Sequence, residues 1–338
     1  MLGDRVRELR QERGLTQGRL AELAGVSRQL VGAVEAGRHL PRVDSAAAIA
    51  RMLGTTVEAL LAPDPRDAVG VLVDPPEGTL VRVARVGEQL VCVPAGGSGE
   101  SWATADAVVR GGVVQLFDPE RPAAVVAGCD PAIGLTARLL EGDAGPRVVS
   151  VATSSMAAVE ALAAGRSHAV MVHGPRGMLP TPPVAVHRWR VARWQVGLAA
   201  AHDLPIGWAQ DALAGRRPVV QREAGAGSQL AFDRAVRATG SATSTTIAGP
   251  RAAGHTDAAW RASTDGLVAV TIEPSALAMG LDFHPLETHE SELWIATQHL
   301  EVAGVRGFVE ELTGGRVRRR LEAIGGYDLS ECGTRIAA

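Results

Sequence analysis

Apolar residues recur every three to four positions through the first sixty residues. Val6, Leu9 and Leu15 lead into Leu20, Leu23, Ala24, Val26, Leu30 and Val34, and Ile49, Leu53, Val57 and Leu60 continue the pattern. This period predicts a run of short helices. Thr16 and Ser27 stand where N-caps belong and Gly37 where a C′ residue belongs. Pro63-Asp64-Pro65 ends the run and opens a linker. From about 69 to 118 the period shortens. Thr79–Ala84 and Gln89–Val93, around Val86-Gly87-Glu88, and then Val113–Phe117 are predicted strands, with 96–99 a loop. This reads as a small β-rich connector without chemistry of its own.

Beyond residue 122 strands alternate with helices. Ala123–Ala127 runs into Gly128-Cys129-Asp130-Pro131 and a helix to Leu140. Val148–Ala152 runs into Thr153-Ser154-Ser155 and a helix to Ala164. His168–Val172 ends in His173-Gly174-Pro175-Arg176-Gly177, and Val219–Gln221 precedes Gly225-Ala226-Gly227-Ser228, which opens a helix through Arg237. The rhythm predicts a parallel α/β sheet covered by helices. The length and the mixed segment Val184–Ala200 fit two lobes better than one. The expected division is a helical head over 1–62, a linker and connector over 63–121, and an α/β body over 122–333.

Residues 15–37 carry the first candidate chemistry. Two short helices must cross tightly: Ala21 gives a small contact surface, Gly25 permits the turn, Val26 plugs the gap, and Leu30 and Val34 anchor the second helix. Gln17 and Ser27, at helix N-termini, can meet phosphates. Arg28 and Gln29 can reach base edges, arginine favouring guanine and glutamine adenine. The stretch from Leu15 to Gly37, with Glu35-Ala36-Gly37-Arg38, Pro41 and Ala50–Gly54, resembles the lambda-repressor-like (Xre-type) helix-turn-helix family. That resemblance implies a five-helix domain that binds double-stranded DNA, with Gln17, Ser27, Arg28, Gln29, Gly32, Arg38 and Arg42 at the contact. Family members often carry polar or basic residues where this chain has Gly32 and Ala33. Direct base contacts are then few, and affinity leans on phosphates and on a homodimer reading two half-sites.

In the α/β region several strands end in small or polar residues just before a helix: Cys129-Asp130, Ser154-Ser155, Gly225–Ser228 and His255-Thr256-Asp257. Exposed N–H groups and the helix dipole suit anions there, and in open α/β sheets ligands bind at the carboxyl ends of strands. Val126–Pro131, Arg222 with Gly225–Ser228, Gly280–Leu286 and Gly325–Ser330 look like the periplasmic-binding-protein-like domain that bacteria fuse to helix-turn-helix heads. Its relatives include molybdate-binding proteins. The resemblance implies a two-lobed type 2 fold holding a small ligand, of the molybdate or tungstate oxyanion kind or a small metabolite. Cys129, Asp130, Ser154, Ser155, His173, Arg222, Gly227, Ser228, Gln229 and His255 are the ligand candidates. The family tends to have Arg where this chain has Gln229, and Asp where it has Val268, so the pocket offers fewer charged partners.

Composition narrows the picture. The chain has 338 residues, 46% hydrophobic and 21% charged, as for a globular protein of two or three domains. All 34 basic residues are Arg, and the net charge of −3 divides into +2 over residues 1–62 and −5 over the rest. A mildly basic head on an acidic body fits DNA binding. Cys92, Cys129 and Cys332 have no metal or redox spacing, which predicts free thiols in a reducing compartment. Cys129 reads as a packing residue rather than a redox sensor. No signal peptide and no apolar run long enough to span a membrane are read, so a cytoplasmic protein is expected.

His168, His173, His187, His202, His255, His284, His289 and His299 show no helical ligand spacing and read as scattered, and no metal or cofactor is expected. Arg176 and Arg222 are possible anion partners or surface residues. Arg316–Arg320 reads as a solvated face, and Trp208 and Trp260 as core or cleft residues. No nucleophile–base motif or Walker loop is present. The expected function is a non-enzymatic, ligand-responsive regulator. A cofactor-biosynthesis enzyme and a ligand-free repressor whose C-terminal part only dimerises are the alternatives.

Overall fold

A computed structural model describes residues 2–57, 60, 68–96, 100–119, 121–141, 145–240 and 247–336. The expected linker at Pro63-Asp64-Pro65 and most of the expected 96–99 loop lie outside the described residues. The head contains α1 (Leu2–Glu12), α2 (Gln17–Ala24), α3 (Arg28–Glu35) and α4 (Val43–Met52), with Val57 and Leu60 again helical. The caps read from the sequence form. Thr16 Oγ1 accepts from Arg19 N at 3.1 Å and Ser27 Oγ from Leu30 N at 3.1 Å. Gly25 turns the chain at φ +67°, a left-handed conformation that suits glycine.

Val6, Leu9, Leu20, Val31, Val34, Ile49, Leu53 and Leu60 close the head's core. Burying one such side chain fully contributes roughly 1.5–3 kcal/mol. One expected anchor shifts. Leu30 is only half-buried, and Val31 takes the central place. The Ser27 cap fixes the helix start at Arg28, and from there Val31, Val34 and Glu35 point inward at helical spacing.

The connector is a five-stranded sheet in the order β1-β3-β2-β4-β5: β1 (Val69–Gly70), β2 (Leu80–Val86), β3 (Gln89–Pro94), β4 (Ala107–Arg110) and β5 (Val113–Leu116). The short helix α5 (Glu100–Thr104) lies between β3 and β4. β4 was not read from the sequence, although Gly111-Gly112, both at positive φ, makes the two-residue turn that pairs it with β5. The connector is not a free spacer. Val71, Ala84, Val86, Val91 and Val93 share one core with Ala123, Val125, Val149 and Leu162 of the body. Arg82 with Glu141 at 3.1 Å and the Arg147–Asp106 pair seal the seam.

The body is an eight-stranded mixed sheet. β6 (Ala123–Gly128), β7 (Arg147–Ala152) and β8 (Ala169–Pro175), with α6 (Ala132–Leu140) and α7 (Ser155–Ala163), form one lobe. The other lobe has α8 (Trp208–Leu213), β10 (Val219–Val220), α9 (Gly227–Thr239), α10 (His255–Asp265), β11 (Val268–Ile272) and α11 (Glu273–Ala278). Two strands of 15 residues, β9 (Val186–Ala200) and β12 (Asp282–Ala296), pair antiparallel and pass through both lobes. β8 joins β12 at His289–Ile295, and β11 joins β9 at Val196–Ala199. The register of β9 and β12 shifts near Pro285/Glu287 and Ser291/Glu292, close to the point where one lobe hands over to the other. The helices α12 (Ala303–Thr313) and α13 (Gly315–Ile324) return to the first lobe, and β13 (Arg335–Ile336) adds to β9.

The expected parallel pairing holds for β6, β7 and β8 and for β10 with β11, but the central pair β9 and β12 is antiparallel. Arginines facing glutamates across this pair hid it. Arg188 meets Glu292 at 2.8 Å, and Arg190 and Arg193 meet Glu290 at 3.4 and 3.3 Å. Among the described residues no helix is long and apolar enough to cross a membrane.

Candidate functional site

The head presents the N-terminal end of α3. Ser27, Arg28 and Gln29 are exposed, as are Arg38 and Arg42, and among the described residues Arg28, Arg38 and Arg42 have no acidic partner. A Cβ added at Gly32 would meet only Gln17 Oε1 at 3.7 Å, so the face is open there. Gln17 is held from within: its Nε2 donates to Glu35 Oε2 at 2.9 Å. Glu35 also receives Arg10 at 2.6 and 3.1 Å, tying α1, α2 and α3 together. Burial opposes ionisation of Glu35, but hydrogen bonds from Arg10 and Gln17 and the charges of Arg10 and Arg7 hold its pKa below the usual value.

The second site forms where β9 and β12 cross between lobes. Cys129 follows β6, His173 is on β8, Arg222 follows β10, and His255 opens α10. All four are buried, with Arg222 only 1% exposed. Arg222 is therefore no surface arginine, whereas Arg176 is one. Arg222 Nη1 donates to His255 Nδ1 at 3.1 Å, and its remaining edge forks onto Glu223 at 3.2 Å on each oxygen. His173 Nδ1 lies 2.8 Å from His289 Nδ1, and His289 Nε2 lies 2.6 Å from Glu287 Oε1. Ser155 Oγ accepts from His173 N at 3.0 Å and stands 4.0 Å from Cys129 Sγ.

Gly227 begins α9 against this group. A Cβ there would come within 3.1 Å of His173 Cε1 and 3.5 Å of His289 Cε1, so only glycine lets α9 approach without displacing the rings. The Trp194 ring packs at a tilt, 5.5 Å from His173, and Tyr327 sits edge-on to Trp194. Tyr327 donates to Asp130 Oδ1 at 2.9 Å.

The cluster is electrostatically tuned toward neutral groups. Burial, then the charges of His289 and Arg222, hold His173 well below its usual pKa, and burial with Arg222 does the same to His255. Burial pushes the Cys129 thiol up to about 12 despite Arg222, so without a bound cation it stays protonated. Burial raises Asp130 to about 6, against the Ala132 N–H and the Tyr327 hydroxyl. Several buried polar atoms here have no hydrogen-bond partner: Asp130 Oδ2, Ser228 Oγ, His255 Nε2 and Trp194 Nε1. Such atoms are costly unless something satisfies them. Cys129, His173 and His255 each offer a ligand atom, all within 4.8 Å of one another.

Most of the expected ligand residues thus meet. Ser154 caps α7 instead, accepting from Ala157 N at 3.3 Å. Gln229 turns inward, accepting from Arg222 N at 2.8 Å and donating to Gln221 and Asp233, so it braces Arg222 rather than replacing a charged contact. Val268 lies in β11 within the second lobe's core. Trp260 is exposed and Trp208 packs at the edge of that core. In the 316–320 run Arg316 and Arg318 pair with Glu311 and Glu322 on a solvated face. The expectation of scattered histidines fails for His173, His255 and His289. His289, Glu287, Trp194 and Tyr327 were missed because each is drawn into the cluster by a group from another element, His173, Arg234, His173 and Asp130 in turn; alternation along 282–296 was the available signal.

The chain is thus a helical head with a helix-turn-helix, a β-sheet connector and a two-lobed α/β unit with a buried polar cluster between the lobes. The model of the PBP superfamily domain matches residues 137–313 and that of a helix-turn-helix domain residues 1–62. The chain belongs to the PBP superfamily and carries an Xre-like helix-turn-helix domain at its N-terminus. Over 49 residues it is 53% identical to an uncharacterized HTH-type transcriptional regulator of Methanothermobacter thermautotrophicus, covering 14% of this chain and 71% of that protein. Over 60 residues it is 38% identical to the immunity repressor protein of Bacillus phage phi105, covering 18% of this chain and 42% of the repressor. An ABC-type phosphate transport receptor from Vibrio cholerae aligns with 60% of this chain and 98% of its own at 11% identity and a TM-score of 0.41.

Proposed function

We propose that the chain is a ligand-responsive transcription regulator that binds double-stranded DNA as a homodimer. The observation that carries this reading is the hinge. Candidate polar residues from both lobes converge at the strand crossing, buried and with unsatisfied donors. A small ligand enclosed there would favour one arrangement of the lobes. The connector follows the head in the chain and shares its core with the first lobe, giving lobe movement a route toward the head. The working division is a head over 1–62, a connector over 63–121 and a sensor over 122–333.

Arg222, the partnerless His255 Nε2, Ser228 Oγ and Trp194 Nε1 favour an effector with acceptor oxygens, of the oxyanion or small-metabolite kind. Molybdate or tungstate is the first choice. The site is read as binding rather than catalytic, and the cytoplasm as the place of action because the DNA is there. Gln17, Ser27, Arg28, Gln29, Gly32, Arg38 and Arg42 are assigned to the DNA face.

Two measurements test this. Fluorescence anisotropy on the promoter of the chain's own operon should show a complex that survives moderate salt and outcompetes unrelated duplex. A melting screen over molybdate, tungstate, phosphate, sulfate and small carboxylates should find a stabiliser; a ligand at ~100-fold its Kd adds about 2.7 kcal/mol. No sequence-specific complex overturns the regulator reading, and no stabilisation by any compound overturns the effector reading.

A further inference from the structure

We propose that Cys129, His173 and His255 form a buried site for one transition-metal ion of the zinc, cobalt or copper class, bridging the two lobes. The proposal names a ligand for the cleft assigned above to the effector and rests on that reading of the cleft; the head takes no part. Cys129 and His173 belong to the first lobe and His255 to the second, and their ligand atoms lie within 4.8 Å of one another. A tetrahedral zinc with S and N ligands needs atom separations of ~3.3–3.6 Å. The ligand atoms must draw together by up to ~1 Å, by side-chain rotation for Cys129 and His173 and by approach of the second lobe for His255.

The hydrogen bonds around His173 prepare it as a ligand. Glu287 Oε1 can only accept, so His289 Nε2 carries the proton and donates to it at 2.6 Å. Neutral His289 then presents a bare Nδ1, which accepts the Nδ1–H of His173 at 2.8 Å. His173 is left with a lone pair on Nε2. A carboxylate acting through a neighbouring group to orient a ligating imidazole is the usual outer arrangement of a metal site. His255 offers Nε2, a buried nitrogen without a partner; because Nδ1 accepts from Arg222, Nε2 carries the ring's proton in this structure, and ligation requires Arg222 to release Nδ1 and remain on Glu223. The Arg222 charge is met by Glu223, and the Cys129 thiolate adds one negative charge.

Binding breaks the Cys129 S–H bond and releases that one proton to solvent; the His255 proton moves from Nε2 to Nδ1, the Arg222–His255 hydrogen bond breaks, and S–metal and N–metal bonds form. A thiolate with two imidazoles selects zinc, cobalt or copper over magnesium or calcium. Three protein ligands leave one tetrahedral position open toward an exogenous group.

The test uses the full chain. Equilibrium dialysis against zinc should retain one ion per chain, and cobalt(II) should give a 1:1 adduct with near-ultraviolet thiolate-to-cobalt charge transfer. Cys129→Ser should abolish that band, and His255→Gln should weaken uptake at least ~10-fold. Glu287→Gln, a positioning change, should weaken it ~10-fold while keeping the band. Cys92→Ser and Cys332→Ser should leave the band intact. Absence of the band in the wild-type chain overturns the site irrespective of how the variants fold, as does uptake that Cys129→Ser and His255→Gln leave unchanged. An oxyanion that alters DNA affinity in a chain retaining no metal overturns the metal and keeps the regulator.

Discussion

The head and the hinge are both polar clusters set on hydrophobic cores, but they are assembled in opposite ways. In the head the turn, both caps and the recognition end lie between Thr16 and Gln29, and a single buried carboxylate, Glu35, ties three helices. In the hinge Cys129, His173, Arg222, His255 and His289 come from five separate segments, and none is placed by its neighbours in sequence. A site built from local spacing announces itself. A site built from strand crossing becomes visible only when the crossing is known.

The comparison is broken most severely at Glu35. Glu35→Ala strands Arg10 and Gln17 inside the head and should cost ~3–5 kcal/mol. Calorimetry should show the head's transition falling steeply while that of the body keeps its temperature, with promoter binding lost.

Acid should strike the α/β body that carries the hinge before the head. His168 is buried, accepts the Val125 N–H on Nδ1 at 2.9 Å, and is lowered to about 4, chiefly by burial and secondly by the charge of His299. The unfolded chain takes up a proton near 6.5 that the folded chain refuses, so stability is lost as pH falls from 6.5 to 4. The loss from this residue alone is about 3 kcal/mol. His173 and His255 act in the same direction, and Asp130, raised in the folded state, acts against them as pH falls through 6. Urea denaturation against pH should show this slope in the wild type and a flatter one in His168→Asn, which keeps an acceptor for Val125.

Arg28→Ala should leave folding untouched and weaken promoter binding by ~1–3 kcal/mol, with relaxed preference at one base pair. Gly32→Ala is the mildest change. The added methyl meets only Gln17 Oε1 at 3.7 Å, and α3 should gain ~0.5–1 kcal/mol in thermal melts.

The head was legible because capping and core positions fall at fixed helical offsets. Even there, Leu30 was read as an anchor where Val31 serves, since one residue of phase is below what apolar spacing resolves. In the body the short strands before Cys129, Ser154 and His173 were legible from apolar runs. β9 and β12 were not, because Arg188, Arg190 and Arg193 break the apolar pattern and meet their acids only in the folded chain, Glu290 and Glu292 on the partner strand and Asp328 and Glu331 near the C-terminal end. With β12 unread, His289 and Glu287 had no place, and His173 looked solitary. Gln229, read as a lost charge, is a brace for Arg222, which only the bond between them reveals.

The central claim is that occupancy of the hinge sets the affinity of the head. Its most direct test is anisotropy of the full chain on its own promoter, titrated with and without molybdate, tungstate, phosphate and zinc, in the wild type and in His255→Gln. The account predicts that at least one of these shifts the wild-type Kd by ~10-fold or more, and that the shift shrinks in His255→Gln. A wild-type affinity identical under all four, or a shift that His255→Gln leaves whole, would contradict it.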